Sequence, residues 1–429
     1  MGMIALGVIA LFLVFLACGV PVFAAMGLSA VVGSYLLGGS GDLFQDAAIS
    51  AYNALNSFVL LAVPLYILAG TLLEQTGLSG RLFTFASSLV SGIRGGLGVA
   101  TVIACSIFAA ISGSSVATAA TIGLVAIPVL ASNGYPLERA GGLIAAGGTL
   151  GILIPPSIAL ILYGVLTDQS IGALFVAGVI PGITLAALMA LYTMAINPRD
   201  PNASNPSVAD ILKATVDAGP ILLLPVLIFA GIYTGVATAT EAAALAVAYI
   251  IIVGLGSRTL GWKQFVRAGL SAAHASVMIF MLVAFGALMT QFFTVTGIPQ
   301  TITTLIAESG LGFFGTVTLM VVFYLILGMF LEALSMMLIT IPILFPVAKA
   351  VGIEPLAFGV FVVLAIEAAQ ITPPVGINLF TISQIGKVPF HSMARAIVPY
   401  VVLLVLMMYL IVYWQDLAMW LPRTMDYKQ

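Results

Sequence analysis

Charge is what this sequence has least of. Asp, Glu, Lys and Arg make up 7% of its 429 residues, 13 basic against 15 acidic, while 62% are hydrophobic. That is too little polar surface to clothe a soluble globule of this length, so the chain must be solvated by lipid. A net charge of −2 leaves no electrostatic footprint for nucleic acid. The two cysteines, Cys18 and Cys105, lie inside apolar runs and offer neither a disulfide framework nor metal-ligand spacing; they read as small packing residues. His274 and His391 are far apart and have no companion at ligand spacing, so no transition-metal site is expected. No GxxxxGK[ST] occurs, so nothing argues for ATP hydrolysis. An intramembrane enzyme built on Ser114 or Glu332 would lack a partnered base or a metal set, and the chain is read as no enzyme.

What is present instead is a series of apolar runs of about 20 residues, each the length a helix needs to cross roughly 30 Å of hydrocarbon. Continuous runs such as 401–412 exclude the alternating strands of a membrane barrel. The fold class is an all-α polytopic membrane protein. Crossing helices are predicted near 3–20, 22–39, 56–76, 138–166, 172–194, 219–236, 239–256, 267–293, 355–385 and 394–420. Two further stretches, 97–131 and 315–349, are interrupted midway by Ser112-Gly113-Ser114-Ser115 and by Gly328 with Glu332 to Ser335. Both read as re-entrant hairpins with tips at membrane depth. The polar stretch 197–217, with three prolines and alternating charges, reads as a cytoplasmic linker that no membrane helix enters.

The linker divides the chain into two related halves, 1–196 and 218–429. YILAGTLLEQTGL (66–78) and GILIPPSI (151–158) in the first answer FGALMTQFFTVTGI (285–298) and ITPPVGIN (371–378) in the second. Gly77 and Gly297 are 220 positions apart, as are Ser112 and Glu332. Arg81 and Arg94 precede the first hairpin, whereas 298–314 contains no Lys or Arg, so the positive-inside rule turns the halves upside down relative to one another. Both termini are then periplasmic.

Paired prolines, Pro155-Pro156 and Pro373-Pro374, break the helices at 138–166 and 355–385. In hydrocarbon, helices break at depth only where the freed backbone faces protein or a polar cavity. Freed carbonyls can bind a cation, and the N-terminus of the half-helix that follows suits an anion. Inverted repeats, broken helices and hydroxyl-rich tips together mark a secondary transporter with a midplane site. The hard oxygen ligands on offer, Ser112, Ser114, Ser115 and Thr118 on one side and Ser335, Thr372 and Asn378 on the other, suit Na⁺. Glu332 and Glu367 are intramembrane carboxylates and functional candidates by that fact. Glu241 is either another such candidate or an ordinary helix-start acid.

ISGSSVATAATIG (111–123), GGTLGILIPPSIALILYGVLTDQSIGALFVAGVIPG (147–182), GMFLEALSMMLITIPILFPVAKAVGIEP (328–355) and ITPPVGINLF (371–380) resemble the large membrane subunit of tripartite ATP-independent periplasmic (TRAP) transporters. The resemblance covers nearly the whole chain. It implies sodium-driven import of a carboxylate-bearing solute, such as a C4-dicarboxylate or sialic acid, in the bacterial inner membrane, by an elevator motion of a transport domain on a scaffold. It further implies a separate small four-helix membrane subunit and a soluble periplasmic binding protein. Sodium would be held by Ser112, Ser114, Ser115, Gly151 and Pro155 at the first tip and by Thr372, Gly376 and Asn378 at the second. Thr118, Pro156, Glu332, Ser335, Pro373 and Pro374 would serve substrate or the transport domain. A binding-protein-independent dicarboxylate or citrate carrier coupled to Na⁺ or H⁺ is the alternative.

Overall fold

A computed structural model describes residues 2–38, 41–90, 92–197 and 206–425. Among these every regular element is helical. Helices α1 (Gly2–Ala17), α2 (Val22–Leu36) and α3 (Gly41–Leu55) lead through a short 3₁₀ turn, Phe58–Leu61, into α4 (Ala62–Thr76). There follow α5 (Ser79–Val90), α6 (Gly96–Ser112), α7 (Ser115–Ser132), α8 (Leu137–Gly148), α9 (Leu150–Leu153), α10 (Ile158–Thr167) and α11 (Ile171–Ile196). The second half holds α12 (Val208–Tyr233), α13 (Ala239–Gly256), α14 (Trp262–Thr296), α15 (Ile298–Glu308), α16 (Gly312–Leu327) and α17 (Ala333–Ala350). It closes with α18 (Pro355–Ile371), α19 (Ile377–Gly386), α20 (Phe390–Tyr413) and α21 (Asp416–Arg423).

Eight of these described helices, counting the 3₁₀ turn with α4, are long and apolar enough to cross a membrane. A ninth span results if α8–α9 and α10, which meet at a 41° bend, are counted as one. Burial tells where each faces. Every residue of α18 from Ala357 to Ile371 is buried, as expected of a helix that sits at a centre and is apolar but for Glu367 and Gln370. By contrast α13 leaves Leu245 and Ile252 exposed, which in a lipid-solvated chain is the ordinary outer face of a span.

Two groups of helices pack around this core. In one, α4 lies on α13 and α14, and α14 also holds α2 and α3. In the other, α6 to α11 interlock with α16 to α20, above all through α7 on α8 and α19, and α20 on α8 and α18. Helices α5, α14 and α15 join the two groups. Without a hydrophobic force between helices in lipid, close approach by small residues supplies the packing. At Gly98 a Cβ would come within 3.3 Å of Leu143, and at Gly147 within 2.8 Å of the buried Cys105 sulfur, the packing role read for that cysteine.

Several boundaries depart from the sequence reading. The segment 197–217 is not a linker throughout. Residues 198–205 lie outside the described residues, but α12 starts at Val208, because Ser207 follows the last of the three prolines and caps it. Ser207 Oγ accepts from Asp210 N at 3.1 Å while the Asp210 carboxylate accepts from Ser207 N at 3.0 Å, a capping box that turns the local charges into a helix start. The span expected at 394–420 stops at Tyr413, and a separate amphipathic α21 follows. Helices α3, α5 and α15, none of them an expected crossing, are short.

The interrupted stretches also differ from one another. At 97–131, α6 and α7 pack together across a two-residue turn, Gly113-Ser114, with Gly113 at φ 60°. At 315–349 the connector is five residues, 328–332, and the arms diverge: α16 lies on α18 and α20, α17 on α10, α14, α15 and α18. The caps of α7 and α17 are Ser114 and Glu332, so the counterpart of Glu332 is Ser114 rather than Ser112. That pair and the Pro155/Pro373 pair share one offset (114 to 332, 155 to 373), two shorter than at Gly77 and Gly297.

Glu241 is a helix cap. Its carboxylate accepts from Thr238 N at 2.8 Å and Thr238 Oγ at 2.9 Å, and its own N–H donates to Thr238 Oγ at 3.2 Å. Thr238→Ala should therefore cost about 1 kcal/mol, read as a lower melting temperature of the purified protein; an unchanged melting curve would remove the cap from the list of stabilising contacts.

Candidate cargo and cation site

A cavity of about 460 Å³ opens between the two groups of helices. Ile67, Gly70, Thr71 and Glu74 of α4 and Ala275, Met278 and Ile279 of α14 form one wall. Ser112 to Ala117, Glu332 to Leu334, Ile158, Ala159, Gln370 and Ile377 form the other. The first turns of four helices thus border one space: α7, α10, α17 and α19. Each presents backbone N–H groups that its own helix cannot satisfy, at the positive end of a helix dipole. Two carboxylates, Glu74 and Glu332, line the cavity, and no Lys or Arg does.

The first tip is locked from several sides. Thr118 Oγ donates to Ser114 O at 2.8 Å and shares a 2.9 Å contact with Ser112 Oγ. Ser114 caps α7, its Oγ accepting from Ala117 N at 3.4 Å. Gly113 lies so close to the break of the next helix that a Cβ would stand 2.8 Å from Pro156 O. Gly151, in α9, is pressed on the same tip: a Cβ there would come 2.5 Å from Ser114 O and 2.6 Å from Thr118 Oγ. Pro155-Pro156 is a cis peptide, and the Ser157 side chain restarts the chain as the cap of α10.

The second half meets this tip through a buried polar centre. Ser115 Oγ donates to Glu367 Oε2 at 2.7 Å and accepts from Asn378 Nδ2 at 2.6 Å. Asn378 Nδ2 also reaches Ala145 O at 3.4 Å. Glu367 and Asn378 are fully buried. Three side-chain oxygens, Glu367 Oε1, Asn378 Oδ1 and Gln370 Oε1, are buried and accept no hydrogen bond among the described residues. Buried acceptors left unpaired cost free energy, and a hard cation is one way to satisfy them.

Sequence reasoning grouped Asn378 with the second tip, whereas its amide lies on Ser115 of the first. The reason is the crossing of α19 over α7. Thr372, Pro373, Pro374 and Gly376 do not line the cavity. Thr372 Oγ donates to Ala368 O at 2.6 Å, Gly376 starts α19 at φ 50°, and Pro373-Pro374 is cis. Ser335 does not line it either; its N–H and Oγ donate to Glu332 Oε1 at 2.9 and 2.8 Å, so half of that carboxylate serves as the α17 cap. Gln370 and the α4 wall went unread. Gln370 had a signal, since it stands three residues after Glu367 in an otherwise apolar run and so shares a helix face with it.

Known proteins agree with this architecture. Residues 9–417 match the family described as "Tripartite ATP-independent periplasmic transporter, DctM component". The chain is 37% identical over 432 residues to the C4-dicarboxylate TRAP transporter large permease protein DctM of Vibrio cholerae, covering 94% of each. It is 35% identical to the sialic acid TRAP transporter large permease protein SiaM of the same organism, covering 88% of this chain and 89% of that one. A solved structure, the Neisseria gonorrhoeae MtrF described as illuminating a class of antimetabolite efflux pumps, shares the fold with a TM-score of 0.64 at 15% identity, over 95% of this chain and 94% of that one. A match over nearly the whole length, to transporter subunits rather than enzymes, makes this multi-span membrane protein a member of the DctM-component family, the large permease subunits of tripartite ATP-independent periplasmic transporters.

Proposed function

We propose that the chain carries out sodium-coupled import of a small carboxylate-bearing solute, such as a C4-dicarboxylate or sialic acid. The solute is delivered by a periplasmic binding protein to this chain and a separate small four-helix subunit in the bacterial inner membrane. The observation that carries the reading is the pairing of an anion-favouring cavity with unpaired acceptor oxygens beside it. Four helix starts attract a carboxylate, yet Glu74 and Glu332 oppose it and no basic side chain offsets them. Cations bound next door supply the missing positive charge. Ser112, Ser114, Ser115, Gly151 and Pro155, joined by Asn378 and Glu367, are the ligand set at the first tip. Thr372 and Gly376 belong to a second set at the α18–α19 break, and Na⁺ is cargo rather than a resident cofactor.

In this reading the halves before and after the linker are inverted repeats with both termini periplasmic. The α6–α11 and α16–α20 group moves as the transport domain against α1–α4 and α12–α15. The test is uptake into proteoliposomes holding this chain and its small subunit, with and without an inward Na⁺ gradient and with and without the binding protein. Uptake that needs both is the expected result. Uptake that needs the gradient alone points to a conventional carrier, and uptake indifferent to Na⁺ removes the sodium assignment.

A further inference from the structure

A second cavity, about 520 Å³, lies away from the cargo site, where α8 and α20 begin and α11 ends. Its lining includes Glu138, Arg139, Tyr192, Arg395, Pro399 and Tyr400. Arg94 and Arg139 cap the last carbonyls of α11: Arg94 donates to Ala195 O at 3.1 Å and Asn197 O at 3.0 Å, Arg139 to Ile196 O at 3.4 Å. Among the described residues, Ile196 O is the one hydrogen-bond partner of Arg139, and Arg395 has none. Neither forms an ion pair among the described residues, and with Glu138 the lining carries a surplus of positive charge. The starts of α8 and α20 have prolines, Pro136 and Pro389, at the cap position and no side-chain cap; the third N–H of each bonds to the proline carbonyl, and the first two have no partner among the described residues. Tyr192 and Tyr400 pack edge to face at 5.2 Å, the amphipathic aromatic pair that favours the headgroup level. Beyond them Leu191, Val398 and Val402 are exposed and apolar along the helices.

We propose that this cavity binds the phosphate diester of an anionic phospholipid, with Arg139 and Arg395 on the phosphate and the acyl chains along Leu191, Val398 and Val402. A planar guanidinium fork matches phosphate oxygens. Basic cavities between membrane helices at the interface bind acidic headgroups. The exposed apolar side chains on the two helices that line the cavity favour a lipid over a free anion, which would leave them uncovered.

The experiment uses the purified full chain in neutral detergent, with retention of phosphatidylglycerol or phosphatidylcholine read by native mass spectrometry and inorganic phosphate added in a parallel arm. Arg395→Ala loses no hydrogen bond among the described residues, and an unchanged melting temperature checks that the variant folds. It should retain phosphatidylglycerol about fivefold less with phosphatidylcholine unchanged, and Arg395→Lys should recover most of the loss. Equal phosphatidylglycerol retention in wild type and Arg395→Ala overturns the site. Displacement of phosphatidylglycerol by millimolar phosphate overturns the lipid and assigns the cavity to a soluble anion. None of these readouts needs transport, so the outcome is independent of the function proposed above.

Discussion

Glu367→Ala should weaken the sodium dependence of uptake about ten- to hundredfold, with the protein still inserted in the membrane. A hydrogen bond to a charged group is worth about 1.5–3 kcal/mol, and the substitution removes the Ser115 bond together with a second carboxylate oxygen that has no partner among the described residues and is open to a cation. Glu367→Gln separates the two effects. It keeps an oxygen for Ser115 and the side-chain volume but not the charge, so it should restore stability while leaving the half-saturating sodium concentration raised. If Glu367→Ala takes up solute at the wild-type sodium concentration, the carboxylate is a packing group and the cation reading of this centre fails.

Gly151→Val should slow uptake strongly for a steric reason. A first carbon at this position already meets Ser114 O at 2.5 Å and Thr118 Oγ at 2.6 Å, and both neighbours are backbone or tied to it. Overpacking of this kind costs about 1–3 kcal/mol, and relief must come from moving the first tip away from α9. Initial uptake rates should fall by at least about tenfold, while membrane insertion is kept. Gly80→Ala is the control, because nothing stands within 4 Å of its would-be Cβ, and its rate should match wild type. Wild-type uptake by Gly151→Val would mean that the tip need not rest on α9.

Much of this was legible because membrane helices announce themselves by apolar length and by their breakers. The helix ends at Ser112 and Ile371 fall where Gly113-Ser114 and the paired prolines interrupt apolar runs, and those interruptions are local chemistry. The α12 start was misplaced because charge in 206–217 was weighed as a barrier to a span, when Ser207 and Asp210 were capping one. What stayed hidden was long-range. Nothing local tells that Asn378 crosses to Ser115 rather than staying beside Glu332, or that α4 and α14 wall the cavity, since both depend on how distant helices cross.

The unequal connectors also decide where this molecule can yield. Each residue brings two soft backbone torsions, so the two-residue turn after α6 has about four to spend and the five-residue stretch after α16 about ten. The shorter one is clasped by Pro156, Gly151 and Thr118; the longer carries an outward-facing Phe330 and is seated by the buried Leu331 and by Gly328, whose would-be Cβ overlaps Ala369. The cavity between the two therefore has a jamb on one side, held from three directions, and on the other a leaf with more torsions on which to turn.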